Sequence, residues 1–197
     1  MNPNAATLRL AAFPRTSLIS DTLLVLAGTG LVAGAAQISF KLPFTPVPIT
    51  GQTFAVVLVG ASLGAIRGTA SLLLYMWVGV AGAPIYAHQS SGWDVITSAR
   101  GGYIVGFILA AATTGVLAEH GWDKRLSSSI GAMLTGNVII YLVGLPWLAV
   151  VLHTNLEKTL EYGLYPFVPG DTFKLYLAAA ALPVSWRIVR RIKSDDA

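Results

Sequence analysis

Apolar residues run along this chain in long blocks, not in the alternating or one-sided patterns of a water-soluble domain. Six blocks are long enough to be helices that cross a bilayer. A crossing takes roughly 20 mainly apolar residues, and fewer where the ends lie in the interface. The blocks cover residues 18–38, 50–65, 69–86, 101–118, 127–152 and 172–189. The predicted fold class is an all-α integral membrane protein, a six-transmembrane-helix bundle that forms a single membrane domain over residues 1–197. The breaks between blocks are polar or rich in helix breakers. Pro43, Pro46 and Pro48 remove backbone donors and restrict their neighbours, so 41–48 is not regular helix. Arg67-Gly68 reads as a short turn, 88–99 as a polar glycine-bearing loop and 119–125 as a charged turn. Residues 153–170, with Pro166 and Pro169, read as a long loop.

Composition points the same way. The chain is 54% hydrophobic and 11% charged, whereas a soluble domain carries about 25% charged residues. Such a chain cannot cover itself with polar surface. It has no cysteine, which excludes disulfide and thiol chemistry. Arg9 and Arg15 precede an apolar segment that continues past signal-peptide length, so the segment reads as a span and not as a cleaved leader. The basic residues gather at the block edges and not on one face, which argues against nucleic-acid binding.

Their distribution also sets an orientation. With the N-terminus inside, nine lysines and arginines fall on the inner side: Arg9, Arg15, Arg67, Lys124, Arg125, Arg187, Arg190, Arg191 and Lys193. Four fall outside: Lys41, Arg100, Lys158 and Lys174. Both termini are therefore expected to be cytoplasmic. The outer segments 39–49, 87–100 and 153–171 are then longer and richer in aromatics, glycine and proline than the inner ones. Long ordered loops on one side of a bundle form lids and binding sites. The second, fourth and sixth spans start on that side, with their positive helix ends facing the enclosed space.

Candidate chemistry sits at those outer ends. Arg100 stands before Gly101-Gly102 at the start of the fourth span. An arginine there snorkels to headgroups or meets an anion, and two glycines would let backbone N–H groups approach a ligand. Asp171 and Lys174 are three apart at the start of the sixth span and share a face. Asp171 reads either as an N-cap or as an acceptor for ligand N–H groups, and Lys174 as its ion-pair partner or as a carboxylate binder. Asn137 lies inside the fifth span with Tyr141 one turn on; a buried amide needs a partner, either another helix or a ligand. Gln52 and Thr53 open the second span, and Tyr86 and Trp93 could stack on an apolar ligand. In the first span, Gly30 and Gly34 form a GxxxG beside Ala33, a spacing that serves packing within the bundle or docking of a partner helix.

Several chemistries have no signature. There is no Walker A pattern. His88, His120 and His153 fall in different loops without metal-ligand spacing. No serine sits in a nucleophile elbow. The chain is therefore expected to be no enzyme, to bind no metal and to need no cofactor.

Four motifs in order resemble a known family. They are Pro43-Phe44-Thr45-Pro46-Val47-Pro48-Ile49-Thr50-Gly51-Gln52-Thr53, Gly82-Ala83-Pro84-Ile85-Tyr86-Ala87, Arg100-Gly101-Gly102-Tyr103-Ile104-Val105-Gly106-Phe107 and Pro166-Phe167-Val168-Pro169-Gly170-Asp171-Thr172-Phe173-Lys174. They are similar to the successive signatures of BioY, the biotin-specific substrate-binding (S) component of energy-coupling factor (ECF) transporters. The resemblance runs from about residue 20 to residue 188. It implies a multi-pass protein of the cell (plasma) membrane that captures biotin from outside with high affinity. It also implies delivery inward with an ECF transmembrane coupling protein and two ATPase subunits. The ligand residues implied are Arg100 and Tyr103, Asp171 and Lys174, and further Asn137 and Gln52. The implied docking residues are Gly30, Ala33 and Gly34, where glycines replace part of an AxxxA pattern. Biotin offers one carboxylate, a ureido group and an apolar body. Asp171 would take the ureido N–H groups, and Arg100 and Lys174 the carboxylate. A self-sufficient secondary biotin carrier and an S component for another vitamin are the competing readings.

Overall fold

The computed structural model describes residues 7–12 and 17–195; Arg15, counted above among the inner cations, lies outside them. A short helix α1 (Leu8–Ala12) precedes α2 (Leu18–Gln37). Ser17 caps α2: its side chain accepts from the Ser20 N–H, and the Ser20 hydroxyl accepts from the Ser17 N–H. The proline-rich segment that follows is pinched by a two-residue antiparallel ribbon, β1 (Ser39–Phe40) against β2 (Ile49–Thr50), with Ser39 opposite Thr50. Next come α3 (Gln52–Leu63), α4 (Ala65–Val80), a 3₁₀ turn (Ala87–Gln89) and α5 (Trp93–Thr97). The rest is α6 (Gly101–Glu119), α7 (Leu126–Leu152), α8 (Leu156–Gly163) and α9 (Val168–Asp195).

Each of the six apolar blocks carries a helix. Among the described residues, three of them (α2, α6 and α7) are long and apolar enough to cross a membrane by length and composition. Helices α3 and α4 are apolar but only 12 and 16 residues long. The break between them is not at Arg67-Gly68, as the charge pattern suggests, but at Gly64. That residue adopts φ 85° and ψ 173°, a conformation that side chains with a Cβ disfavour. Gly68 is helical and buried, with the Cα of Gly60 only 2.8 Å from where its Cβ would stand. Arg67 pairs with Asp21 of α2, from Nε at 2.9 Å and from a terminal nitrogen at 2.8 Å, and Arg9 reaches the same carboxylate at 2.6 Å. The 153–170 segment is likewise not all loop, since it holds α8 and the first turn of α9.

Helix α6 forms the middle of the bundle and packs on α3, α4 and α7. Small residues on it make room: a Cβ at Gly106 would lie 3.0 Å from the Ile140 carbonyl oxygen, and one at Gly115 only 2.4 Å from the Ala65 nitrogen. The larger core cluster gathers Tyr75, Tyr86, Phe107 and Ile140, and a second one joins Val57, Met133 and Leu182 of α3, α7 and α9. Leucines of α2 and α7, such as Leu23, Leu26, Leu134 and Leu142, point outward.

Candidate functional site

At the end of the bundle where α3, α6 and α9 begin, the chain encloses a cavity of about 580 Å³ of empty space, partly open to solvent. The wall takes Thr50 from β2, Gln52 and Thr53 from the start of α3, and Tyr75 from α4. Tyr86 comes from the loop after α4, Arg100 and Tyr103 from the start of α6, Tyr141 from α7, and Asp171 and Lys174 from α9. Ile104, Phe107, Ile140 and Phe167 make it largely apolar. Two edge-to-face pairs stiffen the aromatic part: Tyr75 with Tyr86 at 5.3 Å, and Tyr103 with Tyr141 at 6.3 Å.

Its polar centre is Asp171, 6% exposed. Helix α9 starts at Val168, earlier than predicted, because Pro169 is tolerated in a first turn. The Asp171 N–H already donates to the Phe167 carbonyl, so the residue is inside the helix. Its carboxylate caps nothing. It accepts from the Thr53 hydroxyl at 3.0 Å, from the Lys174 ammonium at 2.9 Å and from the Tyr141 hydroxyl. Lys174 also donates to the Thr50 carbonyl at 2.6 Å and lies 3.5 Å from the Thr53 hydroxyl. All three of its N–H groups therefore have protein partners.

Arg100 is different. It precedes α6 as its N-cap, half-buried, and one terminal nitrogen donates to the Ser90 hydroxyl at 3.2 Å. Burial pushes its pKa below the usual arginine value. Among the described residues the ion pairs are Arg9 and Arg67 with Asp21, Lys158 with Glu161 and Lys174 with Asp171, so Arg100 faces the cavity without a carboxylate partner.

The two glycines after Arg100 serve close packing. A Cβ on Gly101 would stand 1.6 Å from the Ile96 carbonyl oxygen, and one on Gly102 2.2 Å from the Trp147 Cβ. Both are missing from the cavity wall. They let α5 and α7 close onto α6.

The structure thus brings Arg100, Tyr103, Gln52, Asp171 and Lys174 to one cavity. Gln52 donates to the Tyr75 hydroxyl at 2.8 Å, and Tyr103 donates to the Gly163 carbonyl at 2.8 Å. Asn137 is not in the wall. It is buried in α7, and its Oδ1 has no hydrogen-bond partner. Tyr86 lines the cavity, whereas Trp93 is exposed and does not. Tyr75 was not legible as a site residue. Tyr141 carried a signal only through its spacing from Asn137. On α2, Gly30 and Gly34 are exposed, with nothing within 4 Å of where a Cβ would be, while Ala33 packs against the core. The two glycines and Ala33 therefore face different sides.

The sequence matches the BioY family over residues 5–191. A Thermotoga maritima protein named biotin transporter BioY is 36% identical over 151 residues, covering 77% of this chain and 86% of that one. Its Rhizobium etli counterpart is 34% identical over 146 residues, covering 71% and 78%. A Pyrococcus horikoshii protein named probable biotin transporter BioY is 36% identical over 168 residues, covering 85% and 95%. The fold matches a solved structure described as the S-component for biotin from an ECF-type ABC transporter. The TM-score is 0.76 over 91% of this chain and 95% of that one, at 21% identity. By sequence, this chain is a member of the BioY family.

Proposed function

We propose that this chain binds biotin in the cavity and is the capture subunit for its uptake. The observation that carries this reading is the pairing in one cavity of two unlike polar groups, an arginine without a carboxylate partner and a carboxylate held in a hydrogen-bonded cluster, with an aromatic and aliphatic wall. Biotin has the matching parts. Arg100 takes the carboxylate by charge-assisted hydrogen bonds. Asp171 accepts the ureido N–H groups, with Lys174 and Tyr141 fixing its orientation. Lys174 is then a partner of Asp171 and not a second carboxylate anchor, because its donors are already in use. Tyr103 contributes wall. Gln52 completes the ureido contacts; Asn137, buried in α7 outside the wall, is not among them. No metal and no cofactor besides the ligand are needed.

The six apolar blocks make six spans, and the nine-to-four bias of basic residues puts both termini on the cytoplasmic side. The cavity then opens outward from the plasma membrane. The energy for import comes from an ECF coupling protein and two ATPase subunits, so this chain is a transport subunit and not an enzyme. The exposed small-residue strip of α2 at Gly30 and Gly34 suits close approach of a coupling helix; Ala33 would support that strip from behind.

The test is to purify the full chain, identify by mass spectrometry the small molecule that travels with it, and measure biotin affinity of Arg100→Ala, Asp171→Asn and Lys174→Ala. Bound biotin in wild type and a loss of about tenfold or more in each variant is expected: Arg100 and Asp171 each lose a hydrogen bond involving a charged group, which contributes about 1.5–3 kcal/mol, and Lys174→Ala leaves Asp171 without the partner that orients it. If all three stay within about twofold of wild type, the assignment is wrong.

A further inference from the structure

The segment 81–92 between α4 and α5 carries Tyr86 and Ala87 into the cavity wall. Tyr86 is buried against Gly79, and its hydroxyl donates to the Met76 carbonyl at 2.6 Å. The segment doubles back on itself: the Tyr86 N–H donates to the Ser90 carbonyl at 3.1 Å, and the Gly92 N–H to the Gly79 carbonyl at 2.8 Å. To make that turn, His88 and Gln89 both take left-handed backbone angles, with φ of 60° and 57°. That region disfavours any residue with a Cβ, and two in succession are uncommon. Contacts from outside the segment add to its own hydrogen bonds in holding the turn.

Gln37, the exposed last residue of α2, is placed to do so. Its side-chain amide donates to the Ile85 carbonyl at 3.3 Å and the Tyr86 carbonyl at 3.2 Å, as well as to Ala33 of its own helix. Its Oε1 accepts from the Gln89 N–H at 3.3 Å. One side chain therefore grips the turn just before the strained pair and at its second member. Two residues on, the Ser39 hydroxyl meets His88 Nδ1 at 3.1 Å. On the cavity side, Arg100 holds Ser90.

We propose that Gln37 is a positioning residue that straps the 81–92 segment over the cavity and so sets how long the ligand stays bound. The inference rests on the biotin reading above, and two separate readouts keep the two distinguishable. The experiment uses the full chain in lipid nanodiscs. Labelled biotin is chased with unlabelled biotin, and backbone amide exchange is followed without ligand. Gln37→Ala removes the strap. Gln37→Glu keeps the size and the acceptor but loses both donors. Gln89→Gly keeps the N–H and relieves the left-handed angle.

Biotin dissociation is expected to quicken about fivefold in Gln37→Ala and at least as much in Gln37→Glu, about 1 kcal/mol by the tenfold-per-1.4 kcal/mol relation. Association should change less than twofold. Adding Gln89→Gly to Gln37→Ala should lengthen residence again. Amide exchange should rise within 81–92 in both Gln37 variants and stay unchanged in α6. A merely steric role would leave Gln37→Glu like wild type. Dissociation of Gln37→Glu within twofold of wild type overturns the proposal, and so does unchanged exchange in 81–92 or a rise that spreads into α6. If wild type holds no biotin, the capture reading fails. The strap is then decided by exchange alone, with faster exchange confined to 81–92 supporting it and unchanged exchange overturning it.

Discussion

Lys174 and Arg100 are both cations at the cavity, yet their surroundings give them different work. Lys174 directs its ammonium to Asp171, Thr50 and Thr53, so its removal leaves a buried carboxylate without a counter-ion. Breaking one side of such a pair costs about 3–5 kcal/mol. Lys174→Met should therefore lower stability by about 3 kcal/mol, and adding Asp171→Asn should recover much of it, as read by thermal unfolding with each variant's double-mutant cycle. Arg100→Met removes no internal ion pair and should leave stability within about 1 kcal/mol of wild type. At the opposite end of the bundle, Asp123 in the turn between α6 and α7 is fully buried. One oxygen accepts from Trp186 Nε1 at 2.6 Å and the other has no partner. Burial pushes its pKa from 3.8 up to about 6, and the Trp186 hydrogen bond only partly opposes this. The raised value means that the folded state binds the proton more tightly than the unfolded state. Stability should thus rise as pH falls from above 6 towards 4, by at most about 3 kcal/mol. Asp123→Asn should flatten that part of the profile in a pH series of unfolding midpoints.

The helices show what their sequences reveal and where that stops. Long apolar blocks located six helices, because burial in lipid or core demands uninterrupted apolar runs. The exact ends were less legible. The α3–α4 break depends on the backbone angle of Gly64, which nothing in its neighbours advertises, while Arg67-Gly68 mimics a turn because its arginine answers Asp21, 46 positions earlier. The cavity was legible where charge is rare in an apolar chain, at Arg100, Asp171 and Lys174. Tyr75 was not, because a tyrosine in an apolar helix reads equally as core. Glycines were ambiguous for the same reason: only the neighbours in space tell a ligand approach from a helix contact. They also give opposite predictions. Gly101→Ala would set a Cβ 1.6 Å from the Ile96 carbonyl oxygen and should destabilise by about 3 kcal/mol or prevent folding. Gly30→Ala and Gly34→Ala meet open space and should stabilise, each by up to about 1 kcal/mol of helix propensity. Thermal unfolding of the three variants checks both directions.

At the scale of the whole molecule, the cavity and the exposed strip of α2 are different surfaces, and the proposed function gives them different tasks. Gly34→Leu fills the strip without touching the cavity wall. It should leave biotin affinity within about twofold of wild type and abolish uptake driven by the coupling protein and ATPases, as measured in reconstituted vesicles. Uptake that persists in Gly34→Leu, or in vesicles holding this chain alone, would favour a self-sufficient carrier. The capture role itself is tested most directly by titrating biotin into the purified full-length chain, beside the Arg100→Ala/Asp171→Asn double variant. Tight, saturable binding at one site per chain, weakened about a hundredfold or more in the double variant, is the predicted result. Absence of saturable biotin binding to wild type, or equal binding by the double variant, would contradict it.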